Sequence, residues 1–509
     1  MAFLFPAFAG FLFGYDIGAT SGAVSNLGSM LHGAAGFDAG QQSLLTSSSL
    51  IGAFAGTFIV FFAGEPLGRR RELMVGATLY MLGTLLTAAS PNGGAVVPCI
   101  VAGRLLYGLG IAFSMHAAPT YISETAPARV RGLLVSLKEG FICLGILGGF
   151  GASAIFTMGS LNLGDGAWRF IWAVPAPVGL FILIGIYCMP ASPRWLVLRA
   201  AKAAPPSQPL DTSAADAALR RLRAPKLQCC GGGGAAAEAA AADPGYTPAE
   251  DDDTDLNFDA EIAAELNQIV DTLAAESGGS CAEVLRNGRA LLAGLGLVLL
   301  QQVTGQPSVL YYQTAIFEDA GFGDLASSAS VIVGAAKLLA TLVTVSQVDR
   351  FGRRPVLFVG ISMMLGALVL LAAAFQFATP VAGAASSSEV HLPGAWPPLV
   401  VLALVVYVCG YQVGFGPISW LIISEVFPLR TRSYAISAAV SVNFGVNLLM
   451  TATLKFLQDA FDHISPGRGA SYLFGLYAVL CAVSLGFVAL FVPETKGKSL
   501  EQIEAELTR

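Results

Sequence analysis

Twelve long apolar runs, separated by clusters of Arg, Pro and Gly, constrain the fold of this chain more than any other feature. They lie at about 3–23, 42–63, 73–90, 96–120, 131–157, 168–189, 290–317, 326–348, 355–376, 398–424, 433–457 and 470–492. Each is close to the roughly 20 residues that a helix needs to cross a bilayer. Only 12% of the residues are charged, against roughly 25% in soluble domains, which excludes soluble enzymes and nucleic-acid-binding proteins. The runs predict an all-α membrane protein with twelve transmembrane helices in two six-helix bundles.

The positions of the 28 Lys and Arg residues predict how the chain is oriented. Most of them lie in the even-numbered connections and in the C-terminal tail, which all fall on one side of the membrane. Because basic loops stay on the cytosolic side, both termini are expected in the cytosol. The first run starts at Phe3 without a basic segment before it, so it is interpreted as a span and not as a cleaved signal peptide.

The connection at 190–288 differs in composition from the rest of the chain. It contains four consecutive glycines at 231–234, an Ala-rich stretch and an acidic run at 250–253, none of which can build a core. Helical spacing at 214–222 and 259–276 predicts short cytosolic helices on both sides of a disordered insert. The expected domains are an N-terminal bundle at 1–189, this loop at 190–288, a C-terminal bundle at 289–492 and a tail at 493–509.

Short motifs recur in the two halves of the chain. The GRR sequence at 68–70 returns at 352–354, and the SE pair at 123–124 returns at 424–425. Two parallel repeats of six helices are typical of a transporter whose substrate site lies between the halves.

Five motifs spread over the chain are similar to those of a known family. They are FGYD at 13–16, PASPRW at 190–195, QQVTG at 301–305, DRFGRR at 349–354 and PETKG at 493–497. The chain therefore resembles the sugar porter family of the major facilitator superfamily. Three further stretches, LVSLKE at 134–139, GQPSVLYY at 305–312 and SVNFG at 441–445, most resemble its plant and algal vacuolar or plastidic glucose transporter branch, which includes the D-xylose-proton symporter-like proteins.

Two opposite charges are expected at one depth in the membrane. At about 1.5 Å per residue, Asp16 lies roughly 20 Å from the cytosolic side, and Arg104 lies roughly 10 Å from the outer side of a core about 30 Å thick. Because an unpaired charge is costly there, the two are expected to pair and to be a proton-coupling site. The resemblance also implies symport; the alternative is a permanently ionised clamp between the first and fourth helices.

Polar side chains near the midplane are candidates for substrate binding. Gln301, Gln302, Lys337 and Asn443 all fall within a few Å of that level by the same depth estimate. Amides donate and accept hydrogen bonds together, which suits the hydroxyls of a pyranose, although polar residues also join helices in lipid. The resemblance adds Trp420 as an aromatic wall of the sugar site, and Tyr311 and Tyr312 as gating residues.

The chain departs from the usual pattern of the family at three positions. Ile146 stands where many members have a Gln in the fifth helix, Pro307 where they have an Asn, and Lys337 where they have an Asn in the eighth helix. Fewer sugar contacts are therefore expected, unless Gln306 and Lys337 replace those that are lost. Lys337 could also be a second protonatable group or a buried structural ammonium.

Charged residues at the cytosolic ends of the helices form a candidate gate. We expect them to pair between the halves when the outer side is open and to separate when it closes. The set comprises Glu65, Arg69, Arg70, Glu124, Arg131, Arg194, Asp349, Arg350, Arg353, Arg354, Glu425 and Arg432.

Together these features predict transport of a hexose, glucose above others, by alternating access with proton coupling. An uncoupled facilitator and a non-transporting sugar sensor are the alternatives. No nucleophile, base and orienting group come together, and the four His and eight Cys are scattered, so neither an enzyme, a cofactor nor a metal site is expected. The expected partners are sugar, proton and lipid but no nucleic acid, and a monomer in the vacuolar or plastid envelope membrane is expected.

Overall fold

The computed structural model describes residues 4–32, 37–126, 131–157, 163–203, 210–223, 252–276, 284, 287–380, 390–394, 396–427, 429–498 and 502. The N-terminal half contains α1 (Leu4–His32), α2 (Ala39–Leu67), α3 (Arg69–Ala88), α4 (Val96–Thr125), α5 (Arg131–Thr157), α6 (Ala167–Ala173) and α7 (Pro175–Tyr187). Since α6 and α7 follow each other across one membrane, this half has six membrane segments, as the apolar runs predict.

The connection and the C-terminal half are also helical. The connection contains α8 (Pro193–Ala203), α9 (Ser213–Arg223) and α10 (Asp252–Glu276). The C-terminal half contains α11 (Gly288–Val303), α12 (Gln306–Tyr311), α13 (Gln313–Asp319), α14 (Ala326–Phe351), α15 (Arg353–Gln376), α16 (Trp396–Val413), α17 (Phe415–Val426), α18 (Leu429–Ile464) and α19 (Gly469–Phe491). We call the face that carries α8–α10 the loop side and the opposite face the far side.

The twelve membrane segments are confirmed, with two kinds of difference in detail. Within the described ranges, nine helical segments are long and apolar enough to cross a membrane by themselves, and α1, α3 and the interrupted α11–α13 segment pack among them. Several helices extend beyond the apolar runs, because polar residues at the ends continue the helical hydrogen bonds; α18 has 36 residues. A two-residue ladder of β1 (Thr379–Pro380) and β2 (Val390–His391) was not expected.

Glycines let the backbones of α1 and α5 pack in direct contact. A Cβ atom on Gly14 would lie 1.9 Å from the carbonyl oxygen of Ile142, and one on Gly145 would lie 2.1 Å from that of Phe11. Since no side chain fits in either place, the two helices approach as closely as backbones allow. We expect α1 and α5 to move as a unit.

Part of the 190–288 loop lies outside the described residues. Helices α9 and α10 cover the two stretches with helical spacing, and Arg223 pairs with Glu265 across them at 2.5 Å. The glycine run and the first half of the acidic run belong to 224–251, which is not described.

Candidate substrate and proton sites

A buried ion pair joins α1 and α4. The Asp16 and Arg104 side chains are 3% and 2% exposed, and Arg104 Nη1 lies 3.0 Å from Asp16 Oδ1. A second contact of 3.4 Å joins Nη2 to Oδ2, so the guanidinium faces both carboxylate oxygens. The two residues that the depth estimate puts at one level are thus in direct contact.

The N-terminal part of α2 supplies additional hydrogen bonds to both charges. Ser49 Oγ donates to Asp16 Oδ2 at 2.7 Å and accepts from Arg104 Nη2 at 2.9 Å. Arg104 Nε donates to Ser48 Oγ at 3.0 Å and to the Leu45 carbonyl oxygen at 2.9 Å. Because Arg104 has acceptors besides the carboxylate, it keeps partners if Asp16 loses its charge.

The two tyrosines of the predicted gate donate hydrogen bonds to different acceptors. The Tyr311 hydroxyl, from the C-terminal half, donates to Asp16 Oδ2 at 3.4 Å. The Tyr312 hydroxyl instead donates to the Thr451 carbonyl oxygen of its own half at 3.2 Å. Of the two, Tyr311 is therefore the one that connects the ion pair to the other half.

Three glutamines surround the interruption between α11 and α12. The helix stops because Gly305 has φ +83°, and α12 restarts with Gln306 and Pro307 at its first positions. Gln301 and Gln302 are buried in the last turn of α11 and Gln306 in the first turn of α12. The break thus lies between three buried amides that follow one another along the same membrane segment.

Several polar atoms of these amides have no partner within the described part of the protein. Gln301 Nε2 donates to the Tyr411 hydroxyl at 2.9 Å, but Gln301 Oε1, Gln302 Oε1 and Gln306 Nε2 are buried without a hydrogen bond. An unsatisfied buried polar group costs about 1–3 kcal/mol. Hydroxyl groups of a bound ligand would satisfy these atoms.

The other predicted substrate residues lie on α14, α17 and α18. Lys337 is buried, its Nζ donates to Gln412 Oε1 at 2.8 Å, and it lies 5.0 Å from the centre of the Tyr411 ring. Trp420 is partly buried on α17, after the break at Gly414. Asn443 is half-buried on α18. The ring centre of its neighbour Phe444 lies 5.9 Å from the ring centre of Phe13 in the other half.

One polar residue of the fifth membrane helix was missed. Ile146, at the position compared with the family's glutamine, is buried in the apolar core. Glu139, two turns earlier on α5, accepts a hydrogen bond from Gln412 Nε2 at 3.4 Å. The available signal was a charged residue inside an apolar run, which by itself indicates a functional site in a membrane helix.

The halves meet on the far side through uncharged and acidic groups. Ser21 Oγ lies 2.9 Å from Thr314 Oγ1 and accepts from the Thr314 backbone N–H at 2.8 Å. Ser25 Oγ donates to the Glu318 carboxylate at 2.5 Å, and Ser43 Oγ donates to the Ala452 carbonyl oxygen at 2.6 Å. The far side is therefore closed in this structure.

On the loop side, the N-terminal half contains a three-residue contact. Arg69 Nε lies 3.4 Å from Glu124 Oε1, and Ser192 Oγ donates to Glu124 Oε2 at 2.6 Å. This joins the start of α3, the end of α4 and the residue before α8.

The C-terminal half repeats this contact. Arg353 Nη2 lies 3.0 Å from Glu425 Oε1, and Thr495 Oγ1 donates to Glu425 Oε2 at 2.6 Å. In both halves the Arg follows a glycine with positive φ, +77° at Gly68 and +90° at Gly352. The sequence repeat is thus a repeat of the same structural contact.

The remaining residues of the predicted loop-side network make other contacts. Glu65 pairs with Lys202, Arg70 donates to the Tyr187 carbonyl, Arg354 to the Ala489 carbonyl and Arg432 to the Phe427 carbonyl, and Arg194 is half-buried on α8. The side chains of Arg131, Asp349 and Arg350 lie outside the described part. The ion pairs of this network described above join residues of the same half or of α8, so pairing between halves stays a prediction for the opposite state.

No site for a metal ion is evident in the described ranges. None of their His, Cys, Asp and Glu residues form a group of three or more that could hold one.

The sequence profile of the "Sugar (and other) transporter" family matches residues 2–210 and 248–507. The chain belongs to this family. It is a multi-pass integral membrane transporter and not an enzyme. The interruption of the match at 211–247 coincides with most of the Gly- and Ala-rich part of the loop.

Relatives support the narrower branch as well. The chain is 42% identical over 517 residues to "D-xylose-proton symporter-like 3, chloroplastic" of Arabidopsis thaliana, covering all of this chain and 82% of that protein. It is 30% identical to the galactose-proton symporter of Escherichia coli, covering 99% and 93%. Among solved structures, it is similar in fold to a partially occluded inward-open form of the xylose transporter XylE from E. coli, with a TM-score of 0.74, 24% identity and coverage of 98% of both chains.

Proposed function

We propose that this protein carries a monosaccharide across its membrane by alternating access and that proton binding at Asp16 drives the transport. The contact between Tyr311 and Asp16 is the observation that carries the proposal. It joins the ionisable group of one half to a residue five positions after Gln306, in the segment that holds the amides of the other half. A proton on Asp16 would weaken its attraction to Arg104 and would also weaken the hydrogen bond that the Tyr311 hydroxyl donates to it.

The substrate class rests on the unsatisfied amides. Gln301, Gln302 and Gln306 offer both acceptors and a donor in a buried place, a combination that suits sugar hydroxyls. One relative is named a D-xylose-proton symporter-like protein and another a galactose-proton symporter. We propose that this chain carries a hexose and that glucose is its main substrate.

Flux into vesicles is the decisive experiment. Purified protein would be reconstituted in liposomes, and uptake of labelled glucose, galactose, xylose and inositol measured with and without an imposed pH gradient. Accumulation above the outside concentration that disappears with a protonophore supports symport. Equilibration without accumulation would replace it with uncoupled facilitation, and sugar binding without flux would replace it with a sensor.

We propose a vacuolar or plastid envelope membrane as its location, with the loop side facing the cytosol. The basic residues of the even-numbered connections support this orientation. Fluorescence of a C-terminal fusion with organelle markers tests the membrane. Protease access to the 224–251 segment in isolated organelles tests the orientation, and light scattering in detergent tests the expected monomer.

A further inference from the structure

A chain of three polar side chains joins the two halves. Lys337 Nζ on α14 donates to Gln412 Oε1 at 2.8 Å, and Gln412 Nε2 on α16 is 3.4 Å from Glu139 Oε1 on α5. One amide thereby bridges an ammonium group of the C-terminal half and a carboxylate of the N-terminal half. We call these three residues the relay.

The relay is enclosed by protein. Gln412 is 0% and Lys337 3% exposed, and Glu139 is half-buried. The relay contains one positive and one negative group, which lowers the cost of burying it. Lys138, the residue before Glu139, is a third charge that interacts with the same carboxylate. Removing either charge of the relay would leave the other without its partner across the two halves.

The relay adjoins the proposed sugar amides. Lys337 lies against the Tyr411 ring, and the Tyr411 hydroxyl binds Gln301. Counted at about 1.5 Å per residue from the loop-side helix ends, Glu139 is roughly 12 Å deep, whereas Lys337, Gln412 and Gln301 are each roughly 20 Å deep. The relay therefore runs from the level of the amides toward the loop side, and Glu139 of the N-terminal half is its end nearest that side.

We infer that Glu139, Gln412 and Lys337 form an inner latch, which must part for the loop side to open; this rests on the alternating access proposed above. The far-side contacts of Ser21 and Ser25 close the opposite exit. When the latch parts, Glu139 and Lys337 become accessible to water. An uncompensated charge gains more from that hydration than a neutral relay does, so it shifts the equilibrium toward the open form.

The chain contains its own reporter of this movement. Cys143 lies one turn after Glu139 on α5, and Thr341 lies one turn after Lys337 on α14. Thr341 Oγ1 donates to Cys143 Sγ at 3.1 Å, and the thiol is fully buried. Separation of α5 from α14 exposes Cys143 to a thiol reagent.

The test measures alkylation of Cys143 by N-ethylmaleimide in reconstituted full-length protein, with every other cysteine replaced by serine. Four proteins are compared: the parent, Glu139→Gln, Lys337→Gln and the double variant. Each single variant should be labelled about tenfold faster, and the double variant should return close to the parent, because three amides can still hydrogen-bond and the relay itself no longer contains a charge to hydrate. A second background that keeps only Cys481, which is buried within the C-terminal half, should label equally in all four.

Equal labelling of Cys143 in all four proteins would overturn the latch, as would a double variant that labels at least as fast as the faster single one. Faster labelling of Cys481 in the single variants would assign the effect to loosened folding and would also count against it. The labelling needs no sugar. A parent protein without sugar flux therefore refutes the proposed function separately, whatever the labelling.

Discussion

Replacing Asp16 by Asn tests proton coupling most directly. At 3.0 Å the attraction between the Asp16 and Arg104 charges is about 5 kcal/mol for an effective dielectric constant of 20, and desolvation of both groups opposes much of it. The substitution removes this attraction and mimics the protonated carboxyl. Arg104 keeps Leu45, Ser48 and Ser49 as acceptors, so we expect the variant to fold with a loss of about 3 kcal/mol.

The assay is sugar accumulation along an imposed pH gradient. One pH unit corresponds to about 1.4 kcal/mol, so one proton per sugar can concentrate sugar about tenfold. The wild-type protein should approach that ratio, and Asp16→Asn should stay at a ratio of about 1 while still exchanging labelled for unlabelled sugar. Asp38→Asn makes the same chemical change at an exposed residue of the same half and should accumulate sugar normally.

The reasoning would be refuted by an Asp16→Asn protein that still concentrates sugar. Asp16 would then be a structural clamp, and coupling would have to be sought at Lys337. Loss of exchange as well as accumulation, in a well-folded variant, would mean that the carboxylate is needed for the movement itself.

Three other outcomes can be measured. Gln302→Ala should raise the KM for sugar about 5- to 150-fold with kcat retained, since one hydrogen bond in a desolvated site is worth about 1–3 kcal/mol; an unchanged KM would remove Gln302 from the site. Deleting 229–247 should leave the initial uptake rate within about twofold, because a Gly- and Ala-rich segment contributes no core, and a folded but inactive deletion would indicate a regulatory loop. Burial opposes ionisation of Glu494, but backbone N–H groups at the start of α15 hold the pKa of its carboxyl below the usual value. Glu494→Gln should therefore lower the free energy of unfolding at pH 7 by about 1 kcal/mol, and this difference from wild type should disappear once the pH falls below that pKa. An equal difference at every pH would exclude the charge as the cause.

The sequence alone predicts the number of helices, the two halves and the pairing of Asp16 with Arg104. Apolar run length determines a span, and two intramembrane charges at one depth have few other partners. Contacts that depend on the rotation of a helix about its axis could not be predicted in this way. Ser49, between the two charges, belongs to a run of serines at 47–49 in which nothing distinguishes it.

The contact that Glu139 makes could not be predicted for the same reason, although its charge inside an apolar run was a visible signal. Its partner Gln412 is one polar residue in a strongly apolar helix, and the packing of α14 against both α5 and α16 brings the two residues together. The breaks at Gly305 and Gly414 are visible in the sequence as Gly and Pro clusters. The direction in which the amides point after the first break depends on the positive φ of Gly305, which the sequence permits but does not require.

The glycine contact between α1 and α5 has a mechanical consequence. Asp16 is on one of these helices and Glu139 on the other, and their backbones touch at Gly14 and Gly145 with no side chain between them to yield. A tilt of α5 that separates Glu139 from Gln412 therefore also displaces Asp16 relative to Tyr311. If the two helices move as one rigid unit, the proposed proton site at Asp16 and the proposed inner latch at Glu139 change together, without any chain of hydrogen bonds between them.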